Sequence, residues 1–442
     1  MSSLPFVASP LVKRVAAGSF WSLLGDLAVR AATFASAFIT ARMLGVRDFG
    51  AFALVQSTVL MFSAFAQFGM GHTASRYAAM LRNKDPSRLA GIAGLVLRFA
   101  LFSGLTMALV ILASAQYIAM SVMGESELTG LLQLLAPIVV FQSLSSVMTG
   151  FIIGFERFRK ITHINFGAGL LTFTLIVLGV WIWGLQGAVL GMLAAELIRF
   201  VIIIIAAHSV MHENGLPLIG RADYHEIGIL LDFSLPLVLG AAFMSPVMWA
   251  CQAIIAVQPE GLAQVGLFNA GQRMMTLVNM AAMSISAAFV PIIANIFGNG
   301  EIDKLRILGF RLMLLLLAVV AIPATIVASL SSYAAGLFGD EFKKADEIIF
   351  LMMFLAPIFV LKHFYWQLLT SCGYTWSTFR LQIMWGGIAV LMTWVLRNHG
   401  GLGLAQALLI AYGVNLFVFI LQWSRIVQSC KQGAGKRKHE NE

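Results

Sequence analysis

The sequence predicts an all-α integral membrane protein with twelve transmembrane helices, built as two six-helix bundles that are parallel repeats. Three observations support this prediction: an apolar composition, twelve apolar windows of helix length, and an internal repeat. Of the 442 residues, 60% are hydrophobic and 11% are charged, whereas soluble proteins contain about 25% charged residues. This composition excludes a water-soluble enzyme.

The apolar windows are long enough for bilayer helices, which need about 20 residues each. Polar, Gly or Pro residues separate each window from the next. The windows cover residues 18–40, 49–70, 89–113, 128–150, 161–183, 186–207, 229–252, 265–294, 306–329, 345–369, 378–396 and 402–424. The first window contains Asp26 and Arg30 and is too long for a cleaved signal peptide, so we expect it to remain as the first helix.

The basic residues are distributed unevenly between the connections of these spans. Eighteen Lys and Arg lie in the even-numbered connections and the termini, and five lie in the odd-numbered connections. Because basic connections stay on the cytoplasmic side, we expect both termini of this multi-pass protein to be cytoplasmic. The basic tail, residues 425–442, then lies near anionic membrane lipid, and no nucleic-acid partner is expected.

The sequence offers no motif for a metal, a cofactor or a catalytic centre. The three cysteines are far apart and form no CxxC pair, which disfavours disulfide, zinc and redox sites. His208, His212 and Glu213 could share a helical turn but lack the HExxH pattern. The connections are also too short to fold an ATPase, so we expect a protein that is not an enzyme and that uses no cofactor.

The two halves of the chain resemble each other. At a shift of 216 residues, seven positions match without a gap: Gly50 with Gly266, Phe52 with Phe268, Gln56 with Gln272, Asn83 with Asn299, Asp85 with Glu301, Arg88 with Lys304 and Leu89 with Leu305. Two further matches pair Ala136-Pro137-Ile138 with Ala356-Pro357-Ile358 and Gly184-Leu185 with Gly401-Leu402. The polar matches favour a true duplication over chance similarity of apolar segments.

Each half contains six spans, so both halves enter the membrane from the same side. Parallel repeats of this kind usually place the substrate route between the halves and move one half against the other. We therefore predict an N-terminal six-helix bundle over residues 1–207, a cytoplasmic linker over 208–228, a C-terminal six-helix bundle over 229–424, and the basic tail. This organisation is typical of a rocking transporter or a pore.

Three segments resemble a known family. Residues 41–54 read ARMLGVRDFGAFAL, residues 68–71 read FGMG and residues 154–159 read GFERFR. These segments and the 6+6 plan resemble the polysaccharide (O-antigen and exopolysaccharide) flippases of the multidrug/oligosaccharidyl-lipid/polysaccharide exporter superfamily. One position departs from the family, which often has an acidic residue where this chain has Gln67, so no role of such a carboxylate carries over.

The resemblance implies both a shape and a function. It implies a V-shaped pair of bundles around a central cavity that opens to either side in turn. It also implies a flippase that moves a polyprenyl-diphosphate-linked oligosaccharide to the outer leaflet of the cell inner (plasma) membrane, for the biosynthesis of O-antigen lipopolysaccharide or exopolysaccharide. Glycosyltransferases and a polymerase of the same pathway are its expected partners.

Six basic residues fall within the spans, where each costs about 2.5–3.5 kcal/mol at mid-bilayer. Arg311 lies near a span end, and Arg199 can pair with Glu196. The remaining four are the candidate substrate-binding residues: Arg30, Arg273, Lys362 and Arg98. The helices that line the opening in the family would aim Arg30 and Arg273 at one space, where guanidinium groups suit a diphosphate or an acidic sugar. Structural ion pairing is the alternative for each of them.

Three carboxylates in the spans are candidate counter-ions or coupling residues: Asp26, Glu196 and Asp232. Asp26 lies four residues before Arg30, on the same helix face, so neutralising Arg30 is its expected role. Asp232 precedes a Pro-containing helix start and could cap that helix.

Two other functions remain open at this stage. A drug/cation antiporter of the same superfamily would favour a cavity rich in carboxylates, whereas basic residues outnumber acidic ones in these spans. A membrane polysaccharide polymerase or ligase would need a large outer loop. The longest outer connection, about residues 331–344, is short, which disfavours that reading.

Overall fold

The computed structural model describes residues 10–217, 243–298, 301–372 and 374–439, with side chains between 34 and 422 apart from a few positions. The first helix, α1 (Pro10–Gln67), is interrupted at Gly45, whose φ is 74°. The other helices are α2 (Met70–Leu81), α3 (Pro86–Tyr117), α4 (Leu128–Gly154), α5 (Phe158–Glu213), α6 (Met244–Ala256), α7 (Gly261–Gly298), α8 (Ile302–Ser329), α9 (Ser331–Leu337), α10 (Asp346–Ser371), α11 (Thr375–Val395) and α12 (Gly400–His439).

The predicted all-α membrane fold is confirmed. Each of the twelve apolar windows contains a helix, the seventh of them described from Met244 onwards. The segments α1 and α5 each contain two windows, and non-helical residues separate the two windows at Gly45 in α1 and at Trp183 and Gly184 in α5. Within the described residues, eight helices are long and apolar enough to cross a membrane.

The chain divides into two compact units. The first unit contains residues 1–44 and 51–245, and the second contains residues 45–50 and 246–442. Residues 218–242, which include most of the predicted linker and the start of the predicted C-terminal bundle, lie outside the described residues. The predicted domain bounds therefore stay predictions.

Backbone geometry repeats between the halves of the chain at the shift of 216 residues. Gly184 has φ 56° and ψ −134°, and Gly400 has φ 58° and ψ −134°. Asp85 and Glu301, another matched pair, are the N-cap residues of α3 and α8. The structure moves one sequence match by one residue, since Gly184 corresponds to Gly400 rather than to Gly401. Equivalent turns and caps at one constant shift support the duplication.

A close helix crossing in the second unit explains the glycine-rich segment after the first span. A Cβ atom on Gly50 would lie 1.8 Å from the carbonyl oxygen of Leu262, and one on Gly266 would lie 2.2 Å from that of Val46. Gly50 and Gly266 are also the first matched pair of the internal repeat. The two backbones therefore approach so closely that only glycine fits at either position.

The same segment is held by a carboxylate from the connection between α9 and α10. Glu341 accepts a hydrogen bond from the backbone N–H of Val46 at 3.1 Å, and the ring of Phe49 packs edge-on against Phe342 with centroids 5.8 Å apart. Gln264 at the start of α7 accepts a hydrogen bond from the N–H of Gly401 at 3.0 Å. Four odd-numbered connections thus meet at one end of the second unit, as an alternating topology requires.

In the first unit, the FGMG segment forms a break between α1 and α2. Phe68 and Gly69 both have positive φ, 42° and 64°. The break leaves the carbonyl of Ala66 without a partner inside its own helix. That oxygen instead accepts hydrogen bonds from Ser103 at 2.6 Å and Ser143 at 3.1 Å. The segment therefore has a structural role, since it redirects the second span while neighbouring hydroxyl groups satisfy its backbone.

The GFERFR segment joins the even-numbered connections of the first unit. Arg82 donates to the carbonyl of Gly154 at 3.2 Å and forms an ion pair with Glu156 at 2.5 Å. Arg157 forms an ion pair with Glu213 at 2.7 Å. Three connections that the sequence places on one side of the membrane therefore meet at one end of this unit.

Asp85, in the first of these connections, caps the start of α3. Its carboxylate accepts hydrogen bonds from the backbone N–H of Arg88 at 3.0 Å and from the hydroxyl of Ser87 at 2.7 Å. These bonds favour the charged form and lower the pKa of Asp85 below its ordinary value, with the backbone bond as the larger cause.

Candidate functional site

Of the predicted site residues in the first unit, the structure describes the side chains of Arg98 and Glu196, and these two lie in different environments. Arg98 is exposed on α3 and shares its face with Phe102 and Leu109, which are exposed as well. Glu196 in α5 pairs with Arg199 at 3.2 Å, as the sequence predicts. Arg98 therefore lies on an apolar outer face of the unit, and Glu196 has the partner that its spacing indicates.

Three other predicted residues cannot be placed at the side-chain level. Asp26 and Arg30 lie within α1, but their side chains fall outside the described residues. Asp232 belongs to the segment 218–242, which also lies outside them. The proposed pairing of Asp26 with Arg30 and the proposed capping by Asp232 stay predictions.

Arg273 lies in the second unit, in the first half of α7, and its side chain is half-buried. Thr276 and Leu277, one helical turn further on, are exposed on the same face. The sequence of α7 contains no acidic residue: none occurs between Glu260 and Glu301. A guanidinium group on such a helix gives that face of the second unit a positive charge.

Lys362, in α10, has a different environment. Its ammonium nitrogen Nζ lies 4.9 Å from the ring centroid of Trp385 on α11 and 5.4 Å from that of Tyr412 on α12. Both rings are buried and lie 5.1 Å apart. Cation–π contacts of this kind lower the cost of burying the charge by up to about 2 kcal/mol. They supply no counter-charge, however.

A small cavity, with room for about one water molecule, opens beside Lys362. The three helices that carry the lysine and its two rings form the cavity wall. Its lining residues are Lys362, Tyr365, Trp366 and Leu369 from α10, Thr378, Leu381 and Gln382 from α11, and Asn415, Leu416 and Phe419 from α12. The lining therefore combines one cation, amide and hydroxyl groups, and aromatic faces.

Two buried polar atoms near the lysine have no hydrogen-bond partner among the residues that the structure describes. They are the side-chain oxygen Oε1 of Gln382, which is 6% exposed, and the indole nitrogen Nε1 of Trp385, which is fully buried. Native proteins satisfy most buried polar groups. By contrast, Asn415 in the cavity wall donates to the carbonyl of Leu381 at 2.7 Å. The region around the cavity therefore contains hydrogen-bonding atoms that the surrounding residues do not use.

The sequence carries a signal for this site that charge counting over the whole chain misses. Between Glu347 and Glu440 there is no Asp or Glu. The helices α10, α11 and α12 therefore hold a lysine at membrane depth and have no carboxylate along their apolar lengths with which to neutralise it. Reading the acidic residues helix by helix would have separated Lys362 from the other candidates.

A row of hydrogen-bonded polar side chains lies on another face of α10. Ser286 of α7 donates to the Oε1 atom of Gln367 at 2.5 Å, and the Nε2 atom of Gln367 lies 3.1 Å from Nε2 of His363. No local sequence pattern marks these three residues as a group. They join α7, which carries Arg273, to α10, which carries Lys362.

The structure shows no metal site within the described part of the chain. Glu213, part of the His208, His212 and Glu213 group, accepts a hydrogen bond from Ser209 at 3.0 Å in addition to its ion pair with Arg157. This carboxylate therefore takes part in the polar network at the end of α5.

Comparison with known proteins gives a consistent family and fold. Residues 15–297 match the family described as "Polysaccharide biosynthesis protein". The chain is 23% identical over 301 residues to the EPS I polysaccharide export inner membrane protein EpsE of Ralstonia solanacearum, a match that covers 66% of each chain. It is 22% identical over 285 residues to the EpsE protein of Ralstonia nicotianae, covering 62% of each. The matches thus span just under two thirds of the length of these relatives.

Two solved structures show the same fold. An inward-facing multidrug resistance MATE family transporter of the MOP superfamily is 14% identical, with a TM-score of 0.76 over 93% of this chain and 99% of that one. A MOP superfamily transporter from Pyrococcus furiosus, whose binding pocket is described as having reverse polarity, is 13% identical, with a TM-score of 0.68 over 94% and 96%. These likenesses, with the apolar helices, identify a multi-pass protein with the transporter fold.

Proposed function

Because the chain belongs to the polysaccharide biosynthesis protein family, we propose that it is a flippase of the inner membrane. It moves a polyprenyl-diphosphate-linked oligosaccharide from the cytoplasmic to the outer leaflet by alternating access, for the assembly of a surface polysaccharide. The relatives that match are exopolysaccharide export proteins, which makes an exopolysaccharide a better candidate product than the O-antigen of lipopolysaccharide.

One observation supports this proposal in addition to family membership. In the second unit, two helices hold basic residues at membrane depth, Arg273 on α7 and Lys362 on α10, and neither helix has an acidic residue along its apolar length. Charged groups within the membrane are costly and mark the path of a charged ligand. Basic residues at this depth fit a substrate whose headgroup is a diphosphate. Arg30 of α1, with Asp26 as its counter-ion, is proposed as a further part of this path.

The same observation disfavours the drug/cation antiporter. A cationic drug and a coupling ion both need carboxylates in the path, and α7, α11 and α12 contain none. Arg98, on an apolar face of α3, has weaker support as a substrate ligand than Arg273 and Lys362. Glycosyltransferases and a polymerase of the same pathway are the proposed partners, because they would make the substrate and consume the product.

Deleting the gene tests the proposed function. We expect loss of surface polysaccharide and accumulation of the lipid-linked oligosaccharide at the cytoplasmic face, both reversed when the gene is supplied on a plasmid. Labelled sugar precursors followed into lipid-linked and polymer fractions measure both effects. Unchanged polymer together with increased sensitivity to cationic drugs would instead support the antiporter.

We also propose that both termini are cytoplasmic. The charge bias supports this orientation. In this orientation, the three even-numbered connections that meet through Arg82, Glu156 and Arg157 lie on the cytoplasmic side of the membrane. A green fluorescent protein fused after Glu442 is therefore expected to fluoresce, and alkaline phosphatase fused there is expected to be inactive. Active phosphatase at this position would reverse the topology.

A further inference from the structure

The row formed by Ser286, Gln367 and His363 contains a side chain that can change its charge near neutral pH. Ser286 on α7 donates to Oε1 of Gln367 at 2.5 Å, and Nε2 of Gln367 lies 3.1 Å from Nε2 of His363, one turn earlier on α10. Imidazole is the side chain whose ordinary change of charge falls between pH 5 and 8. The row therefore places a proton-binding nitrogen within an apolar span of the second unit.

The order of donors in this row determines which nitrogen of His363 carries no hydrogen. Oε1 of Gln367 is occupied by the hydroxyl of Ser286, so the amide presents its N–H donors to the ring. A donor at 3.1 Å from Nε2 needs an acceptor there, and a neutral imidazole has one nitrogen that can accept. In the neutral state, therefore, Nε2 of His363 accepts from Gln367 and the ring hydrogen is on Nδ1.

The row can reverse its direction when His363 takes up a proton. A proton from water that binds Nε2 turns this nitrogen into a donor. The amide of Gln367 can then rotate by half a turn, so that its oxygen accepts from the ring and its nitrogen donates to the oxygen of Ser286. The hydroxyl hydrogen of Ser286 turns to a backbone carbonyl of its own helix, as serine hydroxyl groups in helices commonly do. Protonation therefore leaves no buried donor or acceptor of the row unsatisfied.

The charged side chains that the structure places at the level of His363 are basic. Lys362 is the preceding residue of α10. The hydroxyl of Tyr365 lies 3.1 Å from the sulfur of Met313, which brings this part of α8 to the same level, and Arg311 is exposed nearby on α8. The other charged residues of α8 are seven to ten residues before Met313, about 10–15 Å along the helix: Asp303, Lys304 and Arg306.

The other elements packed on α10 bring no carboxylate to this level in the described part of the chain. Their ionisable side chains within the helices are Arg273 on α7, Arg380 on α11 and Tyr412 on α12. The acidic residues of α10 itself, Asp346 and Glu347, are at its start, at least about 24 Å along the helix from His363. Tyr333 of α9 and the charged residues of the connection over 338–345 precede that same end of α10.

A proton on His363 therefore adds a second positive charge directly after Lys362, with no carboxylate at hand to balance it. Two adjacent cations of this kind disfavour each other, whereas an anion that enters the path favours both. By linkage, the proton and the anion then each raise the affinity of the other by the same factor.

We propose that His363 is a proton-binding site, and that it takes up its proton together with the diphosphate headgroup of the substrate. The identity of this anion rests on the proposed function. The amide of Gln367 and the hydroxyl of Ser286 allow the change of charge, since they serve the neutral and the charged ring equally well. The site gives the second unit an affinity for anions that increases as the pH falls.

Nitrogen NMR of the full-length protein, labelled with ¹⁵N-histidine and held in lipid bilayers, tests the site. The chain has eight histidines, and the signals that His363→Gln removes identify this ring. With farnesyl diphosphate present, we expect a neutral ring with its hydrogen on Nδ1 at pH 8.5 and a ring protonated on both nitrogens at pH 5. His399→Gln, which removes an exposed histidine from the same unit, is expected to leave these signals in place. A ring that stays neutral at pH 5, or that carries its hydrogen on Nε2 at pH 8.5, would overturn the proposal.

Gln367→Leu provides a second variant, which keeps the histidine and removes the amide. Nothing in the row then selects Nε2 as the acceptor, so we expect signals of both neutral forms of the ring at pH 8.5. An unchanged single form, with its hydrogen on Nδ1, would contradict the role of Gln367.

Binding of farnesyl diphosphate at pH 8 and pH 6 tests the link between the proton and the anion. The probe ionises in the same way with every variant, so a difference between proteins belongs to the protein. Between pH 8 and pH 6, we expect the affinity of the parent to rise by about threefold or more relative to that of His363→Gln. His399→Gln should behave as the parent does. The same pH dependence in the parent and in His363→Gln would overturn the proposed link.

Failure of this inference and failure of the flippase are distinguishable. A ring that titrates as expected, in a protein whose deletion leaves surface polysaccharide intact, would contradict the flippase and leave the proton site standing. A ring that stays neutral in a protein that supports normal export would contradict the proton site alone.

Discussion

Replacing Gly50 with alanine is expected to destabilise the second unit by about 3 kcal/mol or more, because overpacking against an immovable neighbour costs this much at its upper end. The added Cβ atom would lie 1.8 Å from the carbonyl oxygen of Leu262, and backbone cannot rotate away as a side chain can. The two helices would have to separate, which would also disturb the hydrogen bond from Val46 to Glu341. Gly266→Ala should have a similar effect, since its Cβ atom would lie 2.2 Å from the oxygen of Val46.

The matched control is Gly387→Ala in α11 of the same unit, where an added Cβ atom meets nothing within 4 Å. Alanine favours helix over glycine by up to about 1 kcal/mol, so this variant should be neutral or slightly stabilised. Thermal melting of the purified proteins in one detergent makes the comparison. Equal melting temperatures for Gly50→Ala and Gly387→Ala would contradict the close crossing.

Replacing Arg273 with alanine is expected to reduce surface polysaccharide at least tenfold without lowering the amount of protein in the membrane. A diphosphate crossing the bilayer needs cations that replace its hydration, and guanidinium groups match phosphate oxygens with two donors at once. Arg273→Lys keeps the charge but loses this fork, so we expect it to retain more export than alanine and less than the parent. Arg30→Ala should resemble Arg273→Ala.

Arg311→Ala serves as the control for a basic residue in the same unit, because it is exposed on α8. It should export normally. Surface polysaccharide quantified in a deletion strain that expresses each variant, together with immunoblots of membranes, gives the comparison. Normal export from both Arg273→Ala and Arg30→Ala would remove these residues from the path.

Much of the fold follows from the sequence, because bilayer helices need apolar length and little else. The twelve windows predicted the helices, and the gaps between the windows in α1 and in α5 contain the non-helical residues Gly45 and Gly184. A glycine between two apolar windows indicates a turn, and in α5 the chain does fold back at this turn, since a Cβ atom on Gly179 would lie 2.1 Å from the carbonyl oxygen of Gly187. The second window ends at residue 70, next to the break at Phe68 and Gly69, but the positive φ of 42° at Phe68 has no local sequence signal.

The candidate site could be predicted only in part. Lys362 was one of the six basic residues found in the spans. It was identified as a candidate only because a charged residue is costly within the membrane. The aromatic rings of Trp385 and Tyr412 come from helices 23 and 50 residues further along, so no local spacing reveals that they surround the lysine. The absence of acidic residues between Glu347 and Glu440 can be read from the sequence, but only when each helix is considered separately.

The most direct test is transbilayer movement in liposomes that contain the purified full-length protein. A fluorescent polyprenyl-diphosphate-linked oligosaccharide is included in both leaflets, and a membrane-impermeant quencher reports the fraction that becomes accessible over time. We predict that the protein speeds this movement well above the rate in protein-free liposomes, and that Arg273→Ala does so much less. Movement at the protein-free rate, or equal movement with the parent and Arg273→Ala proteins, would contradict a cation-lined flippase.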